Sequence, residues 1–143
     1  MSSSKRMVLE WKGNLRLEAK NEKDLTVNFD APIAHGGEET ALSPMENVLA
    51  SLAACSSFHV LTILKKKRLN VTGYSVEATA ERRDEPPRVF TKIHLKYTVK
   101  GENIPAQAVE SAIKLSEEKY CSVGGMLQKA VPITSSFEIQ NEN

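Results

Sequence analysis

Apolar and polar residues alternate with period two in three short runs at the start of the chain. Met7 to Lys12 alternates moderately, Leu15, Leu17 and Ala19 fall on one side, and Leu25, Val27 and Phe29 do the same. That period belongs to half-buried strands. Lys12-Gly13-Asn14, between the first two runs, is a turn signal. A polar, glycine-rich stretch over residues 30–42 follows as a loop.

The period then changes. Ser43 is a good N-cap, Pro44 suits the first helical position, and Glu46 completes an S-x-x-E capping box. From there to Arg68, apolar residues at 48, 49, 52, 53, 55, 60, 61, 63 and 64 cover most of a helical circumference. A helix apolar on all sides is a buried one. At 1.5 Å per residue it is roughly 37 Å long, against about 30 Å for the diameter of a small domain. A second subunit is therefore expected to cover part of it. The cations Lys65, Lys66, Lys67 and Arg68 suit a helix C-terminus, where they complement the dipole.

Alternation returns after Gly73 in "YSVEATAE". A polar loop over residues 82–88 precedes the long alternating run "VFTKIHLKYTV". Ile104-Pro105 opens a second helix with a stripe of Ala108, Val109, Ala112, Ile113 and Leu115, ending near Tyr120. Ser122 is placed to cap a short third helix over Val123 to Ala130, despite Gly124-Gly125; Pro132 ends it, and "ITSSFEI" is a last strand. The order β-β-β-α-β-β-α-(α)-β, with hairpin-type connections, argues an α+β fold with an antiparallel sheet.

With 143 residues the chain is expected to be one domain, 1–143. Nineteen Lys and Arg against eighteen Asp and Glu leave a net charge of +1, and no basic stripe with interleaved aromatics occurs, so nucleic acid is not an expected partner. The opening "MSSSKRMVLEW" lacks the apolar core of a signal peptide. The apolar stretch Val48 to Leu64 is interrupted by Ser51, Ser56, Ser57, His59 and Thr62 and is shorter than the ~20 residues of a membrane span, so no membrane partner is expected either. Two cysteines without an export signal point to the reducing cytoplasm.

Those cysteines are the candidate chemistry. Cys55 lies on the apolar helix and Cys121 lies 66 positions later, at the junction of the second and third helices. A free cysteine can simply pack as a small hydrophobe. Three features point to reactivity instead. "AACSS" leaves room around Cys55. Cys121 adjoins a helix N-terminus, which lowers a thiol pKa. His59, four residues after Cys55, shares its helical face. Cys55, His59 and Cys121 could also serve as three metal ligands with an open position.

The segments "SPMENVLASLAACSS", "ERRDEPPRVFTKIHL" and "LSEEKYCSVGGMLQKAVPIT" resemble the OsmC/Ohr family of thiol-dependent hydroperoxide reductases, and especially its YhfA-like branch. The resemblance runs from about Ala31 to Ile139. It implies an intertwined homodimer in which antiparallel sheets wrap two long central helices, with two active sites at the subunit interface. It implies that Cys55 attacks the outer oxygen of a small organic hydroperoxide in oxidative-stress defence, leaving a sulfenic acid. Cys121 would resolve that acid as a disulfide, and a dithiol reductant, suspected to be of lipoyl type, would restore both thiols. No metal, haem or flavin cofactor is implied.

In the family's peroxidases a glutamate directly after the helix proline orients an activating arginine. Met45 stands at that position here, and Glu46 is one residue on, turned by about 100°. The arginine comes from the first hairpin, where "WKGNLRLE" contains only Arg16, about two positions out of register. Arg82, Arg83 and Arg88 are the alternatives. The departures leave two readings of the resemblance open: a peroxidase with Cys55, Cys121, Arg16 and Glu46 as site residues, or a non-peroxidatic relative that senses redox state or binds a small ligand.

Overall fold

The computed structural model describes residues 3–142 and divides into two compact units that part between residues 48 and 49. The first unit is a meander of three short antiparallel strands in the order β1 (Val8–Trp11), β2 (Leu17–Lys20) and β3 (Thr26–Phe29). The expected turn between β1 and β2 is present. Gly13 there has φ +106°, a left-handed conformation that suits a residue without Cβ, and Asn14 follows at φ 49°. Asp30, buried at the end of β3, gathers the glycine-rich loop that follows. Its carboxylate accepts the N–H groups of Ala31, Glu38 and Thr40 and the Thr40 hydroxyl, the last at 2.6 Å.

Helix α1 (Pro44–Lys66) begins where the capping box placed it. Glu46 Oε1 accepts from the Ser43 N–H and hydroxyl, each at 3.0 Å, and the Glu46 N–H donates to Ser43 Oγ at 3.3 Å. The helix ends two residues before the expected Arg68, which takes up a left-handed φ of 59°. Its 23 residues are long and apolar enough to cross a membrane by length and composition, more than the interrupted Val48–Leu64 stretch promised. Within the second unit, one narrow stripe of α1 is buried: Leu52, Ser56, Val60 and Leu64, each four residues from the last. The opposite face keeps Phe58 70% exposed.

The second unit continues with β4 (Asn70–Arg82), β5 (Phe90–Glu102), α2 (Ala106–Leu115), a π-helical turn (Ser116–Tyr120), α3 (Ser122–Leu127) and β6 (Ile133–Asn141). The strands β4 and β5 form the long antiparallel hairpin that the alternation predicts. β5 is the central strand. Its alternate residues Ile93, Leu95, Tyr97 and Val99 are buried, as are Val109 and Ala112 of α2. The last strand departs from the expectation of a wholly antiparallel sheet: β6 pairs with β5 in parallel, Ile93 opposite Ile133. The reason is the connection. Two helices and a π turn lie between the strands, and a crossover of that length returns the chain in the same direction.

Candidate active site

Both cysteines belong to the second unit, and folding brings them into contact. Cys55 is half-buried on α1, one residue before the buried stripe position Ser56. Cys121 is buried between the π turn and α3, with the Cys55 side chain beside it, close enough to raise its pKa. Neither is in a disulfide.

The π turn sets up Cys121. The Cys121 N–H donates to the Ser116 carbonyl at 2.8 Å, five residues back, so the helix takes in one residue more per turn before it ends. Cys121 then caps α3 itself: Sγ accepts the Gly124 N–H at 3.3 Å. Ser122, expected as the cap, is the first helical residue. Gly124 allows this close seat, because a Cβ there would lie 3.2 Å from Sγ and 3.5 Å from Leu52 Cδ1.

The expected lowering of the Cys121 pKa is reversed. Burial pushes the thiol up to about 11, outweighing the stabilising N–H of Gly124, and the adjacent Cys55 adds to the rise. A six-residue helix offers this sulfur the N–H of Gly124 and, to a lesser degree, that of Val123, too little to offset desolvation. Cys121 is therefore a thiol at neutral pH.

A hydroxyl chain lies beside the pair. Ser56 Oγ makes a very short hydrogen bond with the Tyr97 hydroxyl of β5 and lies 3.2 Å from Ser116 Oγ, which in turn donates to the Ser56 carbonyl at 3.2 Å. One proton per hydroxyl orders the chain: Tyr97 donates to Ser56, Ser56 to Ser116, and Ser116 to the carbonyl. Burial raises the Tyr97 pKa well above its ordinary value, and the Glu117 charge adds to that, so the phenol keeps its proton. Tyr74 donates to Ser57 Oγ at 2.8 Å, with its own pKa pushed up to about 12 by burial. A cavity of about 50 Å³ opens beside this chain, lined by Leu52, Ser56, Glu117, Cys121, Gly124 and Gln128 among others.

Other expected residues have different surroundings. The His59 ring stacks on Tyr120, with centroids 5.5 Å apart and planes 23° apart. Among the described residues no three His, Cys, Asp or Glu side chains converge as a metal site would require. Arg16 and Glu46 lie in the first unit. Arg16 Nε is 3.2 Å from Glu38 Oε2, and Glu46 is engaged in the capping box, where the Ser43 N–H and then its hydroxyl hold its carboxyl below the usual range. Arg82 and Arg88 brace the β4–β5 tip by donating to the carbonyls of Arg88 and Arg83, and Arg82 lies over Phe90. Arg83 is exposed in that loop, where its N–H donates to the Val89 carbonyl. None of the groups that shift Cys121 is a cation.

Sequence reasoning passed over Tyr97, Ser116 and Glu117. The signal for Glu117 was weak, because "SEEKYC" contains two adjacent glutamates. Only the π turn decides that Glu117 is half-buried while Glu118 is exposed.

Comparison with known proteins places the chain among relatives. The family model described as OsmC-like protein matches residues 36–136. The chain is 48% identical over 101 residues to Protein YhfA of Escherichia coli K12, covering 71% of this chain and 75% of that protein. It is similar to the crystal structure of a hypothetical protein from Aquifex aeolicus VF5, with a TM-score of 0.86 and 31% identity over 99% of this chain and 100% of the other. The fold is also shared with an organic hydroperoxide resistance protein OsmC from Legionella pneumophila, with a TM-score of 0.68 and 14% identity over 95% and 97% of the two chains.

Proposed function

The chain belongs to the OsmC-like protein family, and from that premise we propose that it is a cysteine-based peroxidase that reduces small organic hydroperoxides to alcohols. The observation that carries the reading is that two cysteines 66 positions apart in the chain are neighbours in the fold, both as free thiols. In this reading Cys55, the less buried of the two, is the attacking sulfur, and Cys121, held as a thiol, is the resolving one. Cys55 displaces the alcohol from ROOH and becomes a sulfenic acid. Cys121 condenses with it to a disulfide and releases water. A dithiol of the lipoyl type then restores both thiols by exchange.

The reading includes a homodimer of one OsmC-like domain per chain. Support comes from α1, which buries only every fourth residue, from Leu52 to Leu64, while Phe58 and Leu61 stay exposed. Arg16 and Glu46 enter as the candidates for the family's activating arginine and its orienting glutamate. The free cysteines suit a reducing compartment, the cytoplasm.

The test is consumption of cumene hydroperoxide in the presence of dihydrolipoamide. Cys55→Ser abolishes turnover, Cys121→Ser retains one reduction per subunit and stops, and Arg16→Ala lowers kcat/KM where Arg82→Ala does not. Turnover by Cys55→Ser at the wild-type rate rules the reading out.

One observation favours a second reading, a non-peroxidatic redox sensor or small-ligand binder of the same fold. Met45 replaces the family glutamate, and Glu46 is already held by Ser43. A protein that forms the Cys55–Cys121 disulfide once with hydroperoxide but does not cycle with any dithiol fits this reading.

A further inference from the structure

Disulfide closure poses a proton problem that the two sulfurs do not solve between them. On the peroxidase reading above, on which this inference rests, Cys121 must attack the Cys55 sulfenic acid as a thiolate. Burial holds it as a thiol, with its pKa near 11. At neutral pH the ionised fraction is then roughly one in ten thousand, so closure needs a base within reach.

Among the described residues one buried side-chain nitrogen or oxygen has no hydrogen-bond partner: Glu117 Oε1. An unsatisfied buried carboxylate oxygen is costly, and a catalytic role or a bound water is what accounts for one in a native fold. Glu117 and Cys121 line the same cavity of about 50 Å³, together with Ser56 and Gln128. That space suits a single bridging water, whose share of liquid volume is about 30 Å³. Glu117 also lines an outer groove of about 420 Å³ with Glu110 and Lys114 of α2. One carboxylate thus faces the resolving thiol's cavity on one side and open groove on the other. The π turn creates this placement; Glu118, the next residue, is exposed. The other titratable groups around Glu117 are Tyr97 of β5, Cys121, and Glu110 and Lys114 of α2, while β6 contributes the non-titrating Ile133, Ser135, Ser136 and Phe137.

From this geometry we infer that Glu117 is the general base that accepts the Cys121 proton for disulfide closure. The thiol proton passes to the Glu117 carboxylate through the cavity. The Cys121 sulfur forms a bond to the Cys55 sulfur as the Cys55 S–O bond breaks. The departing hydroxide takes the proton back from Glu117 and leaves as water. Cys121 sulfur is oxidised, the sulfenic sulfur is reduced, and no further oxidant or reductant enters.

The experiment is a single turnover of the reduced protein with one equivalent of cumene hydroperoxide, quenched over time between pH 5 and pH 9. Mass spectrometry reads the Cys55 sulfenic acid as its dimedone adduct, and the disulfide. Glu117→Gln is expected to form the sulfenic acid as fast as wild type but to close the disulfide roughly a hundredfold more slowly. Its closure rate should climb about tenfold per pH unit, because only hydroxide remains as base, whereas the wild-type rate levels off. Glu117→Asp should restore part of the rate and the level profile. Closure by Glu117→Gln at the wild-type rate, or slow closure with an unshifted pH profile, overturns the inference and leaves the peroxidase reading standing. Neither sulfenic acid nor disulfide in wild type overturns both.

Discussion

Cys121 is the residue at which position in the fold reverses a local rule. Beside a helix N-terminus a thiol should ionise readily, yet this one is pushed up to about 11 because burial outweighs the N–H groups of Gly124 and Val123. Iodoacetamide labelling of Cys121 in the reduced native protein should therefore accelerate about tenfold per pH unit from pH 7 to beyond pH 9, followed by peptide mass spectrometry. A plateau below pH 9 contradicts the buried-thiol description. Tyr97 offers a second check at this scale. Its hydroxyl is the far end of the chain through Ser56 to Ser116. Tyr97→Phe should cost about 1 kcal/mol in urea unfolding, since Ser56 keeps its bond to Ser116, and should leave the core ring packing unchanged.

At the scale of the element, α1 and the loop before it carry the clearest sequence signals. The capping box of Ser43 and Glu46 forms as the S-x-x-E spacing requires. Ser43→Ala should destabilise the protein by about 1 kcal/mol in chemical denaturation. Asp30 organises the preceding loop. The Thr40 hydroxyl, then the Thr40, Ala31 and Glu38 N–H groups, lower its carboxyl from 3.8 to about 2. The folded state thus favours the ionised form, and that contribution is complete above pH 4 and drains away as pH falls toward 2. Asp30→Asn should be less stable than wild type at pH 7, and the gap between them should narrow over that acid window in pH-dependent unfolding. The π turn had no such signal. It depends on which carbonyl the Cys121 N–H reaches, and period-counting does not register one extra residue in a turn.

For the whole molecule, the question is what covers α1. The helix is apolar around most of its circumference, and a single chain buries the stripe Leu52, Ser56, Val60 and Leu64. Phe58 at 70% exposure and Leu61 at 38% are large apolar groups on the same helix left to solvent. Covering them with a second copy is the proposal here, and Phe58→Lys should convert a dimer to monomers in sedimentation velocity. A wild-type protein that sediments as a monomer at tens of micromolar would remove the interface from the proposed site. The sheet of the second unit illustrates the limit of pattern reading at this scale. Alternation located β4, β5 and β6 within a few residues. It could not orient β6, because a strand has the same period in either direction.

The chain's own order of residues determined its elements, its capping box, its hydrophobic helix and the two cysteines worth asking about. Each follows from local backbone geometry, where spacing of two or of three to four residues selects a face. Tertiary structure alone decided that the two sulfurs meet, that Cys121 stays protonated, that β6 runs parallel to β5, and that Glu117 rather than Glu118 lines the cavity. Those outcomes depend on desolvation and on contacts between residues far apart in the chain. No local pattern encodes either, because the energy of a buried charge or thiol is set by what surrounds it after folding.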